Sequence, residues 1–241
     1  MRSLAIIPAR GGSKRIPRKN VRDFLGKPII SYSIQTAVES KLFDEVMVST
    51  DDEIIAEIAA NYGANIPFLR SPETSSDTAT TVDVLIEVLE KYKQKGIHFK
   101  YACCIYPTAP FLNEYRLREA LAKMKKGKLD SVIPVTAYSY PVQRALQINN
   151  DKLSMLMPQH LNSRSQDLQT TYHDCGQFYW FDIDKLLQQK KLFTANSGAI
   201  VVSEMEVQDI DRESDWKLAE LKYKILNQND ENQNILQVRR A

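Results

Sequence analysis

Residues 4–20 read LAIIPARGGSKRIPRKN, and this stretch decides the fold. Leu4 to Ile7 are apolar, short and unbroken, which fits a strand covered on both faces, as strands of parallel sheets are. A loop of glycines and basic residues follows at once. Gly11-Gly12 lets backbone N–H groups turn toward a ligand while Pro8 and Pro17 stiffen the loop, and nests of this kind hold phosphate oxygens. Arg10 and Lys19 can add charge-assisted hydrogen bonds to a polyphosphate. The loop has neither the G-x-x-x-x-G-K-[ST] nor the G-x-G-x-x-G spacing, so it is not one of the standard phosphate or dinucleotide fingerprints. A solvated basic loop is the alternative; the glycine pair, the prolines and the position straight after a strand weigh against it.

Outward from that loop, Ile29, Ile30, Ile34, Ala37 and Val38 recur at helical spacing between Pro28 and about Ser40. Val46 to Thr50 reads as a second strand, and Asp51-Asp52 as the acidic start of a helix that runs to about Tyr62 and stops at Gly63. A short strand is expected at Ile66–Leu69, then a Ser/Thr-rich segment, a helix from about Ala79 to Lys93, a buried strand at Tyr101–Ile105, a helix capped by Asn113, and a strand at Ser131–Val135. Strands alternating with helices predict an α/β fold, a mostly parallel sheet with helices on both faces, whose ligands bind at the carboxyl ends of the strands. The rhythm breaks in 137–172, a polar stretch without a clean period, read as an inserted arm or hairpin. A strand at Gln177–Phe181, a helix at Ile183–Lys190, an apolar run at Ala199–Val202 and a closing helix from Ser214 to Leu226 complete the pattern. The domain then comprises residues 1–136 and 173–230, with the arm at 137–172 and a flexible tail at 231–241.

The chain has 241 residues, 43% hydrophobic, enough for one large core. Eight glycines and ten prolines exclude a collagenous or linker-dominated chain, and no apolar run approaches the ~20 residues of a membrane span. About five apolar residues before Pro8 are too few for a signal-peptide core, and three cysteines, two of them adjacent (Cys103, Cys104), make no disulfide framework. A cytosolic protein is expected. The net charge is only +2, but residues 10–22 hold six of the 32 basic residues and no acid, so the rest of the chain is slightly acidic. Such a focus suits a compact anionic ligand; a nucleic-acid binder would spread its basic residues over a face.

Asp209-Ile210-Asp211 is the second candidate. If extended, it projects both carboxylates to one side, as a magnesium site built from one or two carboxylates and phosphate oxygens needs. The alternative is an acidic lead into the Ser214 helix. With histidine only at His98, His160 and His173, and without C-x-x-C or H-E-x-x-H, zinc or thiol chemistry at His173 and Cys175 is disfavoured.

IPARGGSKRIPRKN, GKPII at Gly26–Ile30, FDEVMVSTDDEIIAEIA at Phe43–Ala59, the segment Arg70–Thr81, the turn Tyr106-Pro107-Thr108-Ala109-Pro110 and Asp209-Ile210-Asp211 together resemble the CMP-nonulosonic acid synthetases, the acylneuraminate cytidylyltransferase family. The resemblance spans roughly residues 3–216. It implies a Rossmann-like nucleotidyltransferase sheet with an inserted dimerisation arm, and transfer of CMP from CTP to the anomeric hydroxyl of a nine-carbon acidic sugar, with Mg²⁺ as cofactor and a homodimer as the working unit. It implies that Arg10 and Lys19 hold the triphosphate and stabilise the departing pyrophosphate, that Asn20 lies near ribose and phosphates, and that Arg70 and Thr81 seat the cytidine. Ala9, Gly11, Gly12 and Ser13 then complete the nucleotide-binding loop, and Asp209 and Asp211 bind the metal.

The departures point to a branch. Tyr106 stands where sialic acid activators usually carry a sugar-contacting glutamine, and Cys175-Gly176 where they usually read Asn-Gly. The run Gln166–Leu168 and Tyr172–Trp180 resembles the branch acting on pseudaminic acid, whose sugar bears two acylamino groups. A phenol in place of an amide changes which hydroxyls or amides are matched, and unmatched buried polar groups are costly. Tyr106, Gln177 and Tyr179 are therefore expected as sugar-pocket walls. Arg164, in the arm, is the expected partner of the sugar carboxylate because guanidinium pairs bidentately, a surface arginine being the alternative. Activation of N-acetylneuraminate or legionaminate, a sugar-1-phosphate nucleotidyltransferase, and a phosphate- or nucleic-acid-binding module are the rival readings.

Overall fold

Strand β1 (Ser3–Pro8) lies inside the main sheet, hydrogen-bonded in parallel to β4 (Glu45–Ser49) on one side and β5 (Tyr101–Ile105) on the other. The computed structural model describes residues 2–238, with side chains to residue 227. Alternate residues of β1 enter different layers, Ala5 and Ile7 one hydrophobic cluster and Leu4 and Ile6 another, which is why the run is continuously apolar. The first layer is built against α1 (Ile29–Glu39), α2 (Glu53–Asn61) and α5 (Glu114–Gly127); the second against α4 (Thr81–Gln94) and α6 (Ile183–Gln189). The sheet order is β11-β6-β10-β5-β1-β4, where β6 is Ser131–Ala137, β10 Phe178–Asp182 and β11 Ser197–Val201. The short β9 (Tyr172–Asp174) pairs with the end of β6. A hairpin, β2 (Asp23–Phe24) with β3 (Lys27–Pro28), and a one-turn helix, α3 (Pro72–Ser75), complete this part of the fold.

Local signals hold where the sequence placed them. Asp52 caps α2 by accepting from the N–H groups of Ile54 and Ile55, each at 3.0 Å, and Asn113 caps α5 by accepting from Arg116 N–H at 3.0 Å. Gly63 ends α2 with a φ of 94°.

Two expectations are corrected. Residues 66–69 form no strand: Asn65 makes a single bridge to Met47, and Pro67, which lacks an N–H, cannot continue the ladder. Helix α7 (Glu213–Val238) runs past the expected end at Leu226, so residues 231–238 of the expected tail are helical, and residues 239–241 lie outside the described residues.

The sheet is mostly parallel, but β10 runs antiparallel between β5 and β6. The chain leaves β6 at the carboxyl edge, makes the 137–172 excursion and returns at that edge through β9, which pairs antiparallel with Val135–Ala137. It therefore re-enters the sheet pointing the opposite way, without the crossover a parallel strand requires. The excursion contains the hairpin β7 (Leu146–Asn149) and β8 (Lys152–Met155), turned by Asn150 and Asp151 with φ of 49° and 59°. No helix among the described residues is long and apolar enough to cross a membrane.

Candidate active site

The basic loop and the D-I-D segment meet because each carries one apolar residue among its charges. Ile16 and Ile210 are both 1% exposed and belong to one cluster with Phe24, Tyr32, Phe111 and Trp216. Burying Ile210 in an extended segment leaves Asp209 and Asp211 on the open side, where both line a cavity of about 700 Å³ together with Arg10, Ser13, Lys19 and Asn20. Residues nearly 200 positions apart in sequence thus face one another. The pair stands just ahead of α7, where Asp215, in the helix's first turn, accepts from the N–H groups of Asp211 and Arg212 at 3.0 and 2.8 Å.

The loop's cations are met by acids from elsewhere. Arg10 pairs with Asp77 at 2.9 Å, and Lys14 pairs with the same carboxylate. Arg15 pairs with Asp211 at 2.5 Å, Lys19 lies 3.6 Å from Asp211, Arg18 pairs with Asp52 at 2.6 Å and Arg22 with Glu213 at 2.5 Å. Lys19 also donates to the Ile210 carbonyl at 2.7 Å, which fixes its ammonium beside the acid pair. Partial burial, and then the like charge of Asp211, push the Asp209 carboxyl above its ordinary value, with Lys19 and Arg15 only partly offsetting them.

Asn20 is buried and donates to the Arg10 carbonyl at 2.9 Å, bracing the loop across its base. Gly11 donates its N–H to Asp51 at 3.0 Å, and a side chain there would place its first carbon 2.7 Å from an Asp52 oxygen. The glycine is thus required by close approach to the start of α2. Ala9 is buried, its N–H donating to Ser49 at 2.9 Å, and neither it, Gly11 nor Gly12 lines the large cavity.

Two smaller spaces adjoin. One of about 210 Å³ is shared by Arg10, Arg70, Thr81 and Tyr106. Arg70 is buried there, donating to the Ser49 hydroxyl at 3.0 Å and the Ser49 carbonyl at 2.5 Å, and desolvation lowers its pKa. The other, of about 580 Å³, shares Tyr106, Asp174 and Tyr179 with the main cavity. Tyr106 and Tyr179 meet edge to face at 5.5 Å, Tyr106 is hydrogen-bonded to Thr81 at 3.1 Å, and Tyr179 donates to Asp174 at 2.6 Å. Burial raises the pKa of both phenols, so both stay protonated.

Of the expected sugar contacts, Tyr106 and Tyr179 are on the wall; two others are not. Gln177 is 4% exposed and turns its amide to the Glu206 carbonyl. It precedes β10 and follows Gly176, whose φ is 61°, so the period-two alternation that would put it on Tyr179's face does not extend to it. Arg164 is exposed on the arm and lines none of these spaces. Asp77, Asp174 and the buried anchors Ile16 and Ile210 escaped the sequence reading; a lone isoleucine flanked by charges in both the loop and the D-I-D segment was the available signal. Cys175 lines the main cavity, and burial pushes its thiol up to about 12, which disfavours a thiolate; His173 meets the Tyr138 ring in a tilted arrangement at 4.8 Å.

The cytidylyltransferase family matches residues 4–215. The chain belongs to that family. A pseudaminic acid cytidylyltransferase of Campylobacter jejuni subsp. jejuni serotype O:2 is 43% identical over 226 residues, 93% of this chain and 97% of its own. A CMP-N,N'-diacetyllegionaminic acid synthase of Legionella pneumophila is 32% identical over 227 residues, 91% of this chain and 95% of its own. In fold, the chain is similar to a CMP:2-keto-3-deoxy-manno-octonic acid synthetase solved with CTP, at a TM-score of 0.70 and 18% identity, covering 95% of this chain and 100% of that one.

Proposed function

We propose that this cytidylyltransferase moves CMP from CTP to the anomeric hydroxyl of a nonulosonic acid, pseudaminic acid, releasing pyrophosphate. The observation that carries this reading is the convergence of Arg10, Lys19, Asp209 and Asp211 on one cavity at the carboxyl end of β1. The 43% identity to a pseudaminic acid enzyme over nearly the whole chain supports the choice of sugar.

Arg10 and Lys19 hold the triphosphate and take up the charge that grows on the departing pyrophosphate; the reaction asks the protein mainly for positioning and charge. Asn20 keeps Arg10 at its post through the carbonyl it bonds, and Arg70 and Thr81 border the small cavity that seats the cytidine. Ala9, Gly11, Gly12 and Ser13 shape the loop around the phosphates. The sugar lies against Tyr106 and Tyr179.

Asp209 and Asp211 are suited to Mg²⁺. The carboxylates share one cavity, Asp209 pairs with no cation within ion-pair distance among the described residues, and burial, then the like charge of Asp211, raises its pKa. No group of three or more His, Cys, Asp or Glu side chains gathers among the described residues, so phosphate oxygens and water would complete the shell, as Mg²⁺ prefers. Bound there, Mg²⁺ would neutralise phosphate charge and lower the pKa of the attacking hydroxyl.

The arm leaves Leu146, Ile148 and Leu153 between 59% and 71% exposed, apolar side chains clustered on one hairpin. We assign that surface to a homodimer in which each arm reaches the neighbouring cavity and brings Arg164 to the sugar carboxylate. Sedimentation is expected to give twice the 27.6 kDa chain mass, and Arg164→Ala to raise the sugar KM about tenfold. A monomer with normal turnover would refute this. We propose that it works in the cytosol, where its nucleotide substrate is supplied.

The test of the function is pyrophosphate release from CTP and Mg²⁺ with pseudaminic, legionaminic and N-acetylneuraminic acids in parallel, and with a sugar 1-phosphate as the fourth arm. Pseudaminic acid is expected to give the highest kcat/KM. No release with any nonulosonic acid would end this reading, and turnover only with the sugar phosphate would replace it.

A further inference from the structure

We propose that Asp174 reads the sugar by accepting a hydrogen bond from one of its acylamino N–H groups. This rests on the sugar nucleotide reading above and assigns a specificity-determining residue to it. Asp174 stands at the end of β9 and lines both the 700 Å³ cavity and the 580 Å³ space beside it, where the two are joined past Tyr106 and Tyr179. Its carboxylate is held at both oxygens, by the Tyr179 hydroxyl at 2.6 Å and the Gly176 N–H at 2.9 Å.

The acids around the loop differ in what they have available. Asp77 and Asp211 are engaged by Arg10, Lys14, Arg15 and Lys19. Asp174 forms no ion pair among the described residues; Lys190 and Lys191 line the second cavity without reaching it. A carboxylate accepts about four hydrogen bonds and this one has two, so it presents free acceptor capacity to whatever fills the space. Tyr106 and Tyr179 keep acceptor lone pairs, but both are neutral and Tyr179 gives its proton to Asp174, so the carboxylate is the stronger acceptor on this wall. An acceptor-only carboxylate beside the contacting rings of Tyr106 and Tyr179 matches an acylamino group, which has a single N–H donor and an apolar acyl end. The two bonds it already accepts fix the orientation of the carboxylate toward the cavity wall it shares with Tyr179.

Asp174→Asn keeps one acceptor oxygen and replaces the other with an NH₂ donor, which can accept neither from the Gly176 N–H nor from a substrate N–H. With pseudaminic acid and CTP, the variant is expected to raise the sugar KM about 10- to 100-fold, leaving the CTP KM within about twofold and kcat within a fewfold. Tyr179→Phe, which leaves the carboxylate intact, is expected to change the sugar KM less, and Asp174→Ser provides a second variant if the first folds poorly. Wild-type turnover is measured first: its absence with every nonulosonic acid overturns the function reading and this inference together. With wild-type turnover present, three results overturn the inference alone. These are an unchanged sugar KM in Asp174→Asn, an equal loss in Tyr179→Phe, which would make Asp174 only a support for that tyrosine, and a collapse of kcat at constant sugar KM, which would assign it to proton removal.

Discussion

Lys19→Ala is expected to lower kcat about a thousandfold while the protein stays folded. The ammonium is pre-positioned: its side chain is only 20% exposed, it donates to the Ile210 carbonyl at 2.7 Å, and it stands 3.6 Å from Asp211. A charge fixed before substrate arrives needs no reorganisation as pyrophosphate gathers negative charge, and removing one such donor costs roughly 10²–10³-fold or more in comparable transfers. The stability cost is small by contrast: the Lys19–Asp211 pair is long, Asp211 keeps Arg15 at 2.5 Å, and a pair like this, on the edge of solvent, is worth about 1 kcal/mol or less. Arg18→Gln is the control, because Arg18 pairs with Asp52 at 2.6 Å and does not line the cavity. It should leave kcat within a fewfold. Single-turnover assays alongside thermal melts check both; a Lys19→Ala enzyme within tenfold of wild type would remove lysine from the transfer step.

Asp209→Asn carries the second large effect, a loss of about 10²–10³-fold in kcat together with loss of metal response. Its pH signature follows from the raised pKa of Asp209, caused first by burial and then by Asp211. A carboxyl whose folded pKa lies above its unfolded value favours folding at low pH, and that contribution is lost as pH rises through the folded value. The ionised Asp209 is therefore a liability at neutral pH unless a cation meets it. Wild-type protein is expected to gain melting temperature on Mg²⁺ addition at pH 7 and to gain less as pH falls toward the carboxylate range. The variant should show neither the gain nor its pH dependence, and its metal-free melting temperature at pH 7 should equal or exceed that of wild type. An unchanged Mg²⁺ response in Asp209→Asn would take the metal away from this pair.

Some features of the site were readable one segment at a time. The strand that opens the chain, the glycine pair after it and the six cations of residues 10–22 are contiguous, so their chemistry is written in order. The caps at Asp52 and Asn113 follow from hydrogen bonds spanning three residues. Even the arm hairpin had a local signal in Asn150-Asp151, overlooked among the polar residues around it. Gln177 and Tyr179 show the limit of such reading. Composition marks the strand as a wall, but a pleat running through Gln177 would put it on Tyr179's face; only the tertiary structure shows that β10 begins at Phe178 and that Gln177 bonds the Glu206 carbonyl instead.

By itself, then, the sequence determined a chain of strands and helices with a phosphate-suited loop at its head and a pair of carboxylates near its end, because these depend on residue type and on separations of a few positions. The tertiary structure alone decided that β10 runs antiparallel, that Asp77 and Asp211 answer the loop's cations, and that Ile16 and Ile210 bury together and so turn Lys19 toward the acids. Those outcomes rest on contacts between segments up to two hundred residues apart, whose free energy comes from excluding water between surfaces that neither segment presents alone.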